Sequence, residues 1–435
     1  MLDVFRRHLK PVPHKPYQIQ ECIPFRFRFR QGTSRCVLQY TLRLVEPATG
    51  QGCSQWATGL IYAQAGEAER LCQQMQTSIQ RQEIPEAWRS FEPVDFIPDL
   101  NMLVTLFPHD HKLPSLPRVM AGMSADLKPL LLDQFGPGDW QVGRCDIEPM
   151  RYRTELGAVV RYTIAGRNRL TAGNETKRFY LKVYRNQRGR ETYQLLRSLA
   201  ERAGAHEKFF SVIKPIAYLS ELRTLVLEEA AGTSLQEVLL HDSDSLTAVR
   251  AVARAVAALN QSDIPGTRAH LLEDRRAELK RAAKLLRWAC PQLRPLLDQI
   301  TAAVVAGFEE VPAAPIHRDL KADHIFLDGE RVIFVDLDSL ALGDPVVDAT
   351  HLMSYLIARV GLSTVSFEQA RAAVRAFAEE YCAHVPVAWH RRLPIHYAAA
   401  LVEVAAGIFR RQEPSWPETL LALVEQAGLA LAGRL

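Results

Sequence analysis

The sequence predicts a mixed α+β protein, rich in strands through its first half and helical through its second, on three observations. Residues 20–107 and 142–229 hold alternating runs such as Cys36-Val-Leu-Gln-Tyr-Thr-Leu-Arg-Leu44 and Arg178-Phe-Tyr-Leu-Lys-Val-Tyr184, the period-two pattern of half-buried strands. Residues 233–434 carry helical spacing instead, with Leu246, Val249, Val252, Val256 and Leu259 on one apolar stripe. The two strand-rich zones also repeat each other at a fixed shift of 122 residues, which sets Val37, Tyr40 and Thr41 on Val159, Tyr162 and Thr163. The same shift sets Tyr62 on Tyr184, Glu69 on Glu191, and Pro93, Leu100, Leu103 and Val104 on Pro215, Leu222, Leu225 and Val226.

Between the repeats lie a proline-bearing connector, Phe107-Pro-His-Asp-His-Lys-Leu-Pro114, and a turn, Gly136-Pro-Gly-Asp139, where a domain boundary is expected. The expected organisation is an N-terminal accessory domain over 1–135, a second α+β domain over 140–230 and a helical domain over 231–435. Ser234-Leu-Gln-Glu237 and Ser366-Phe-Glu-Gln369 both read as capping boxes that start helices in the last zone. Tyr397–Phe409 and Leu420–Leu429 read as apolar core helices.

Composition narrows the function classes. With 435 residues and 48% hydrophobic content, the chain can bury two or three packed layers. Its 53 basic against 49 acidic residues leave a net charge of +4, too balanced to imply nucleic acid or a membrane surface as partner. Phe25-Arg-Phe-Arg-Phe-Arg30 alternates aromatic and basic residues, but that period is a strand's. The seven cysteines are scattered without any C-x-x-C, which fits a reducing compartment and excludes a disulfide framework or structural zinc site. His109-Asp-His111 lacks a third partner for a metal. MLDVFRRHLKPVPHK has no apolar signal core and no run of about 18 apolar residues follows, so a cytoplasmic protein is expected.

The chemistry concentrates in residues 316–348, IHRDLKADHIFLDGERVIFVDLDSLALGDPVVD. His317-Arg-Asp319-Leu-Lys321-Ala-Asp-His324 precedes a strand-like Ile325-Phe-Leu, a turn at Asp328-Gly329, and a second strand ending on Asp336. A hairpin of this kind lets Asp319 and Asp336 converge on one metal–phosphate site. The segment resembles the catalytic core of the kinase superfamily. Asp336-Leu-Asp338, Gly343-Asp-Pro345 and Asp348 are similar to the aminoglycoside phosphotransferase and choline kinase branch, where protein kinases would show D-F-G and A-P-E.

That resemblance implies a bilobal protein-kinase-like fold, with a small β-rich N-lobe and a larger helical C-lobe, and the 122-residue repeat then makes the extra N-terminal α+β domain a degenerate copy of the N-lobe. It implies ATP and Mg2+ as cofactors and a hydroxyl of a small molecule as acceptor: a sugar, an amino-alcohol or an aminoglycoside-like compound. Asp319 would orient the acceptor hydroxyl and take its proton, Asp336 would bridge the metal to the phosphates, and His317 would bond the loop near Asp336. Lys321 stands where protein-serine kinases keep a lysine near the γ-phosphate, which leaves a protein kinase as an alternative. His324 stands where the branch has a metal-binding asparagine, and there it either bonds the loop or ligates the metal; this leaves a pseudokinase or nucleotide-binding scaffold as the other alternative.

Lys182 sits inside the strand Phe179–Tyr184, where an inward charge is costly unless paired, and Glu191 follows in a helical stretch as its natural partner. The pair resembles the kinase lysine and helix glutamate that hold the nucleotide phosphates. Leu225-Val-Leu-Glu228-Glu-Ala230 resembles the hinge whose backbone bonds adenine. No G-x-G-x-x-G precedes Lys182, since Met150–Tyr162 offers one glycine, Gly157. At the position equivalent to Lys182 the first repeat has Leu60, so that copy is expected not to bind nucleotide. The acceptor and the oligomeric state are not written in these motifs.

Overall fold

A computed structural model of the chain describes residues 1–13, 17–30, 35–79, 84–171, 173–201, 209–242, 244–264, 268–412 and 415–434. It divides into two compact units: one of Met1–Tyr193, Pro215–Glu229 and Arg410–Gln412, the other of Gln194–Lys214, Ala230–Phe409 and Glu413–Leu435.

The first unit opens with helix α1 (Leu2–His8) and strands β1 (Gln18–Arg30), β2 (Arg35–Val45) and β3 (Gly52–Tyr62). Helix α2 (Glu67–Ser78) and the hairpin β4 (Val94–Ile97) and β5 (Met102–Leu106) complete a five-stranded sheet of order β1-β2-β3-β5-β4. Two short helices, α3 (Leu116–Ala121) and α4 (Leu127–Asp133), lead to β6 (Trp140–Arg153), β7 (Gly157–Asn168), β8 (Asn174–Tyr184) and helix α5 (Arg188–Glu201), within which the unit boundary falls. The chain then gives β9 (Phe210–Val212) to the second unit and returns with β10 (Pro215–Leu219) and β11 (Thr224–Glu228). The second sheet has order β6-β7-β8-β11-β10, the first sheet's topology over again.

The correspondence extends to register. Arg35 pairs with Tyr62 and Gly157 with Tyr184; Ile97 pairs with Met102 and Leu219 with Thr224, each at the 122-residue shift. Even the hairpin strain recurs. Asn101 and Arg223 both adopt positive φ, and their carbonyls accept the Tyr62 and Tyr184 N–H at 3.1 and 2.9 Å. Alternation explains β7, in which Ala158, Val160, Tyr162 and Ile164 face inward in strict period two.

The two sheets, expected to be separate domains across 107–139, fall in one compact unit. The reason is burial of the connector. Phe107, Leu113, Leu116, Val119, Met120, Leu127, Leu131 and Phe135 form one apolar core with Val160, Tyr162, Ile164, Phe179 and Leu181 of the second sheet. Trp56 of the first sheet packs on the same core, its ring 5.2 Å from Phe107 and 6.4 Å from Tyr152.

The second unit carries β12 (Thr233–Ser234), α6 (Leu235–His241), α7 (Ser245–Asn260), α8 (Leu272–Ala289), α9 (Arg294–Gly307), β13 (Ala314–Ile316), β14 (Ile325–Asp328), β15 (Arg331–Phe334), β16 (Ala341–Gly343) and α10 (Val346–Ile357). α11 (Phe367–Ala383), α12 (Val387–His390), α13 (Leu393–Arg411) and α14 (Trp416–Leu431) complete it. Both expected capping boxes form: Ser234 and Ser366 accept the N–H of Glu237 and Gln369, whose side chains reach back. Of the α7 stripe, Val249, Val252, Val256 and Leu259 are buried and Leu246 half-buried. α13 is long and apolar enough to cross a membrane by length and composition alone, but 72% of that window is buried, as expected of a core helix.

Gly232, entering the second unit, has φ +80 and lies so close to β14 that a Cβ would stand 1.9 Å from the Leu327 carbonyl oxygen. Gly232→Ala should therefore cost about 2–4 kcal/mol from backbone strain plus overlap. Gly50→Ala, at φ +69 with nothing nearby, should cost only about 1 kcal/mol. Urea unfolding of the two variants checks the difference.

Candidate active site

The site is built on one buried carboxylate. Asp348, in the first turn of α10 and fully buried, accepts the backbone N–H of His317 at 2.7 Å and of Arg318 at 2.8 Å. Asn260 at the end of α7 donates to it at 3.0 Å and to the Pro315 carbonyl at 2.9 Å. Tyr381 of α11 donates its hydroxyl to Asn260 or to the Pro345 carbonyl, each at 3.2 Å. A carboxylate taking two backbone donors at a helix N-terminus is a strong anchor. It holds Arg318 at φ +67, a conformation that a non-glycine residue keeps only when its surroundings enforce it.

From that anchor the loop turns into the β14–β15 hairpin, where Ile325 pairs with Phe334. His317, fully buried, donates from Nε2 to the Val335 carbonyl at 2.9 Å, which leaves Nδ1 to accept the Asp319 N–H at 3.4 Å. Asp336 follows with φ +60, a second strained residue at the site. His324 donates from Nδ1 to the Asp319 carbonyl at 2.7 Å, so its Nε2 lone pair is turned toward Asp336 Oδ2, 3.5 Å away. Burial keeps this imidazole below the usual histidine range and hence neutral, despite the neighbouring Asp336 and Asp323 carboxylates. Ligand atoms of Asp319, His324 and Asp336 all lie within 4.8 Å of one another.

Lys321 Nζ lies 2.6 Å from Asp319 Oδ1 and 5.3 Å from the centre of the Tyr355 ring. Burial alone would raise the Asp319 carboxyl, but its basic neighbours, the Lys321 ammonium foremost, hold it below the ordinary value. His351 itself donates Nδ1–H to the Leu320 carbonyl at 2.8 Å.

Several functional supports escaped sequence reasoning because they come from distant helices. Arg318 is held by Glu278 of α8 at 2.9 Å, and Glu278 also meets Arg275 at 3.0 Å and His270 at 3.1 Å. Burial works against ionisation of Glu278, yet its three basic neighbours bring it down to about 2. Asp344 of the Gly343-Asp-Pro345 turn takes Arg392 through both oxygens and His396 at 3.2 Å, which together hold it well below the usual range against burial. Tyr381 and His396 are thus buried supports. Glu380 pairs with Arg254 at 2.8 Å.

The remaining sequence candidates belong to the first unit, apart from Ala230. Lys182 lies on β8 between Val159 and Leu225, half-buried, with Nζ 5.7 Å from the Tyr184 ring centre. Glu191 is exposed in the first turn of α5. Glu228 ends β11 and Ala230 begins the second unit, so the chain crosses between units at the expected hinge. Leu60, paired with Val37, takes the place of Lys182 in the first sheet and is fully buried.

A strand-and-helix lobe followed by a helical unit bearing two carboxylates and an imidazole on one loop-and-hairpin defines the class: a protein-kinase-like fold. The model of the phosphotransferase enzyme family matches residues 166–395, more than half of the chain, and the protein belongs to that family. Among curated proteins none matches it in sequence. Similar solved structures include the ADP-bound aminoglycoside phosphotransferase APH(2'')-Ib, 12% identical, covering 71% of this chain and 99% of that one at a TM-score of 0.42. A choline kinase of Cryptosporidium parvum is 10% identical, covering 66% and 89% at 0.45, and the choline kinase LicA of Streptococcus pneumoniae is 14% identical, covering 71% and 98% at 0.44. Similarity this distant says nothing about the acceptor of the present chain.

Removing the Asp348 carboxylate strands three buried donors. Asp348→Ala should lower stability by about 3 kcal/mol or more and abolish activity. Denaturant unfolding beside a turnover assay checks both. Because the folded carboxyl of Glu278 is depressed, its stabilisation is present above about pH 5 and is lost as pH falls toward 2. Melting curves over that range should therefore drop less steeply for Glu278→Gln than for the wild type.

Proposed function

We propose that the protein is an ATP- and divalent-cation-dependent phosphotransferase acting on a hydroxyl of a small metabolite, such as a sugar or amino-alcohol. The observation that carries this reading is the convergence of Asp319, His324 and Asp336, one protonless nitrogen and two carboxylates, within 4.8 Å. The donor set fits a divalent cation: carboxylates suit Mg2+, and a neutral imidazole nitrogen is tolerated by Mg2+ and favoured by softer ions. Bound there, the cation would neutralise phosphate charge.

Asp319 orients the acceptor hydroxyl. Its carboxylate, kept ionised by Lys321, is a weak base, so it takes the proton at an oxygen late, as the hydroxyl loses it to phosphoryl transfer. Lys321 adds positive charge beside that carboxylate. Lys182 and Glu191 bind and orient nucleotide phosphates in this reading, and the backbone near Glu228 and Ala230 holds adenine. Residues 1–135 serve as a degenerate copy of the nucleotide lobe, in which Leu60 removes the phosphate-binding charge.

Asp319→Asn should lower turnover by about 10²- to 10⁴-fold without unfolding the protein. A coupled ADP-release assay over sugars, aminoglycosides and amino-alcohols reads it; undiminished turnover in the variant would refute the assignment. His324→Asn should preserve or raise activity, since an amide can donate to the Asp319 carbonyl and present oxygen to the cation. Mg2+ titration of that variant in the same assay checks it, and a large loss would count against the reading.

A further inference from the structure

The turn between β6 and β7, Arg153-Thr-Glu-Leu-Gly157, stands next to Lys182 in the sheet, since Val159 pairs with Lys182 and Gly157 with Tyr184. In a nucleotide lobe this is the turn that covers the phosphates, and it is ordinarily a glycine-rich loop with freedom to move. Here it has one glycine, Gly157, and is held by side chains of other strands. Glu155 is 3% exposed and holds φ +63, a strained conformation for a side-chain-bearing residue.

What enforces that conformation comes from the N-terminal sheet and the connector. Arg28 of β1 and Arg35 of β2 reach Glu155 Oε2 at 2.8 and 2.5 Å, and Thr58 of β3 shares a hydroxyl hydrogen bond of 2.9 Å with Thr154. Asp110, 5% exposed, accepts the Glu155 N–H at 2.7 Å and the Tyr152 hydroxyl at 2.9 Å through one oxygen. His111 stands 3.1 Å from Glu155 Oε1. A turn gripped from three strands and a connector has already lost the conformational freedom that a mobile loop would surrender on binding.

We propose that the N-terminal sheet presets the Arg153–Gly157 turn for nucleotide binding, with Asp110 and Glu155 as positioning residues for the triphosphate. This rests on the phosphotransferase reading. The catalytically silent first sheet thereby replaces a loop that closes on its ligand by one that is held in place before the ligand arrives.

The test uses the full chain and Asp110→Asn, whose single amide oxygen cannot accept both the Lys112 N–H, now on Oδ1, and the Tyr152 and Glu155 donors, now on Oδ2. Hydrogen exchange of residues 152–158, ATP affinity by titration calorimetry, and KM for ATP against kcat are measured well below the melting temperature. The expected result is faster exchange in the turn and about tenfold weaker ATP binding, with kcat at saturating ATP close to that of the wild type. Arg35→Ala should behave alike and Arg35→Lys should recover part of the loss. Unchanged exchange, or faster exchange with unchanged ATP affinity, overturns the proposal. If Asp110→Asn does not fold, Thr58→Val, which removes one hydroxyl bond, carries the same comparison. A wild-type chain that binds no ATP overturns the phosphotransferase reading and this proposal with it; wild-type binding that the variant matches overturns this proposal alone.

Discussion

Everything at the candidate site hangs from the Asp348 carboxylate. Two consecutive backbone amides, those of His317 and Arg318, point at it, and this is possible only because Arg318 takes the left-handed conformation. That conformation in turn sets the direction in which Asp319 leaves the loop. Burial makes the arrangement strong: a buried acceptor with three donors cannot be exchanged for water, so the loop has no competing geometry of similar energy. The helices α7 and α11 enter the same network through Asn260 and Tyr381, which is why a site written in one short segment depends on residues far along the chain.

Part of the backbone strain lies where chemistry is proposed, while Asn101, Arg223, Arg359 and Gln412 carry it elsewhere. Arg318, Asp336 and Glu155 are side-chain-bearing residues at positive φ, and hydrogen-bonded or charged neighbours fix Arg318 and Glu155 there. At His324 the same logic selects a tautomer. One ring nitrogen is committed to the Asp319 carbonyl, which turns the other, without a proton, toward Asp336. In the proposed cation site, this geometry would let His324 bond the loop through one nitrogen and offer a lone pair through the other.

The two sheets of the first unit show how far one pattern can serve two ends. Topology, strand register and the positive-φ hairpin residue coincide at the 122-residue shift, while Leu60 and Lys182 at matched positions separate an apolar core residue from a candidate phosphate ligand. The connector between them does not behave as a linker. His109, Asp110 and His111 read in sequence as a false metal cluster, and Asp110 and His111 bind the β6–β7 turn instead.

The sequence by itself determined the elements and the chemistry-bearing segment, because both are local. Period-two alternation specifies β2, β7 and β8, Ser-x-x-Glu and Ser-x-x-Gln specify the starts of α6 and α11, and the spacing of Asp319, His324 and Asp336 follows from one hairpin. It also displayed the repeat, since shared register leaves a shared pattern. Only the tertiary structure decided which carboxylates are buried supports. Asp344 and Asp348 look as available in the sequence as Asp319 and Asp336, yet the first pair is spent on Arg392, His396, Asn260 and backbone amides. Glu278, Arg275 and Asp110 carry no local signature at all. Their roles arise from contacts between segments far apart in the chain, and a charge's function there is set by which partner burial forces upon it.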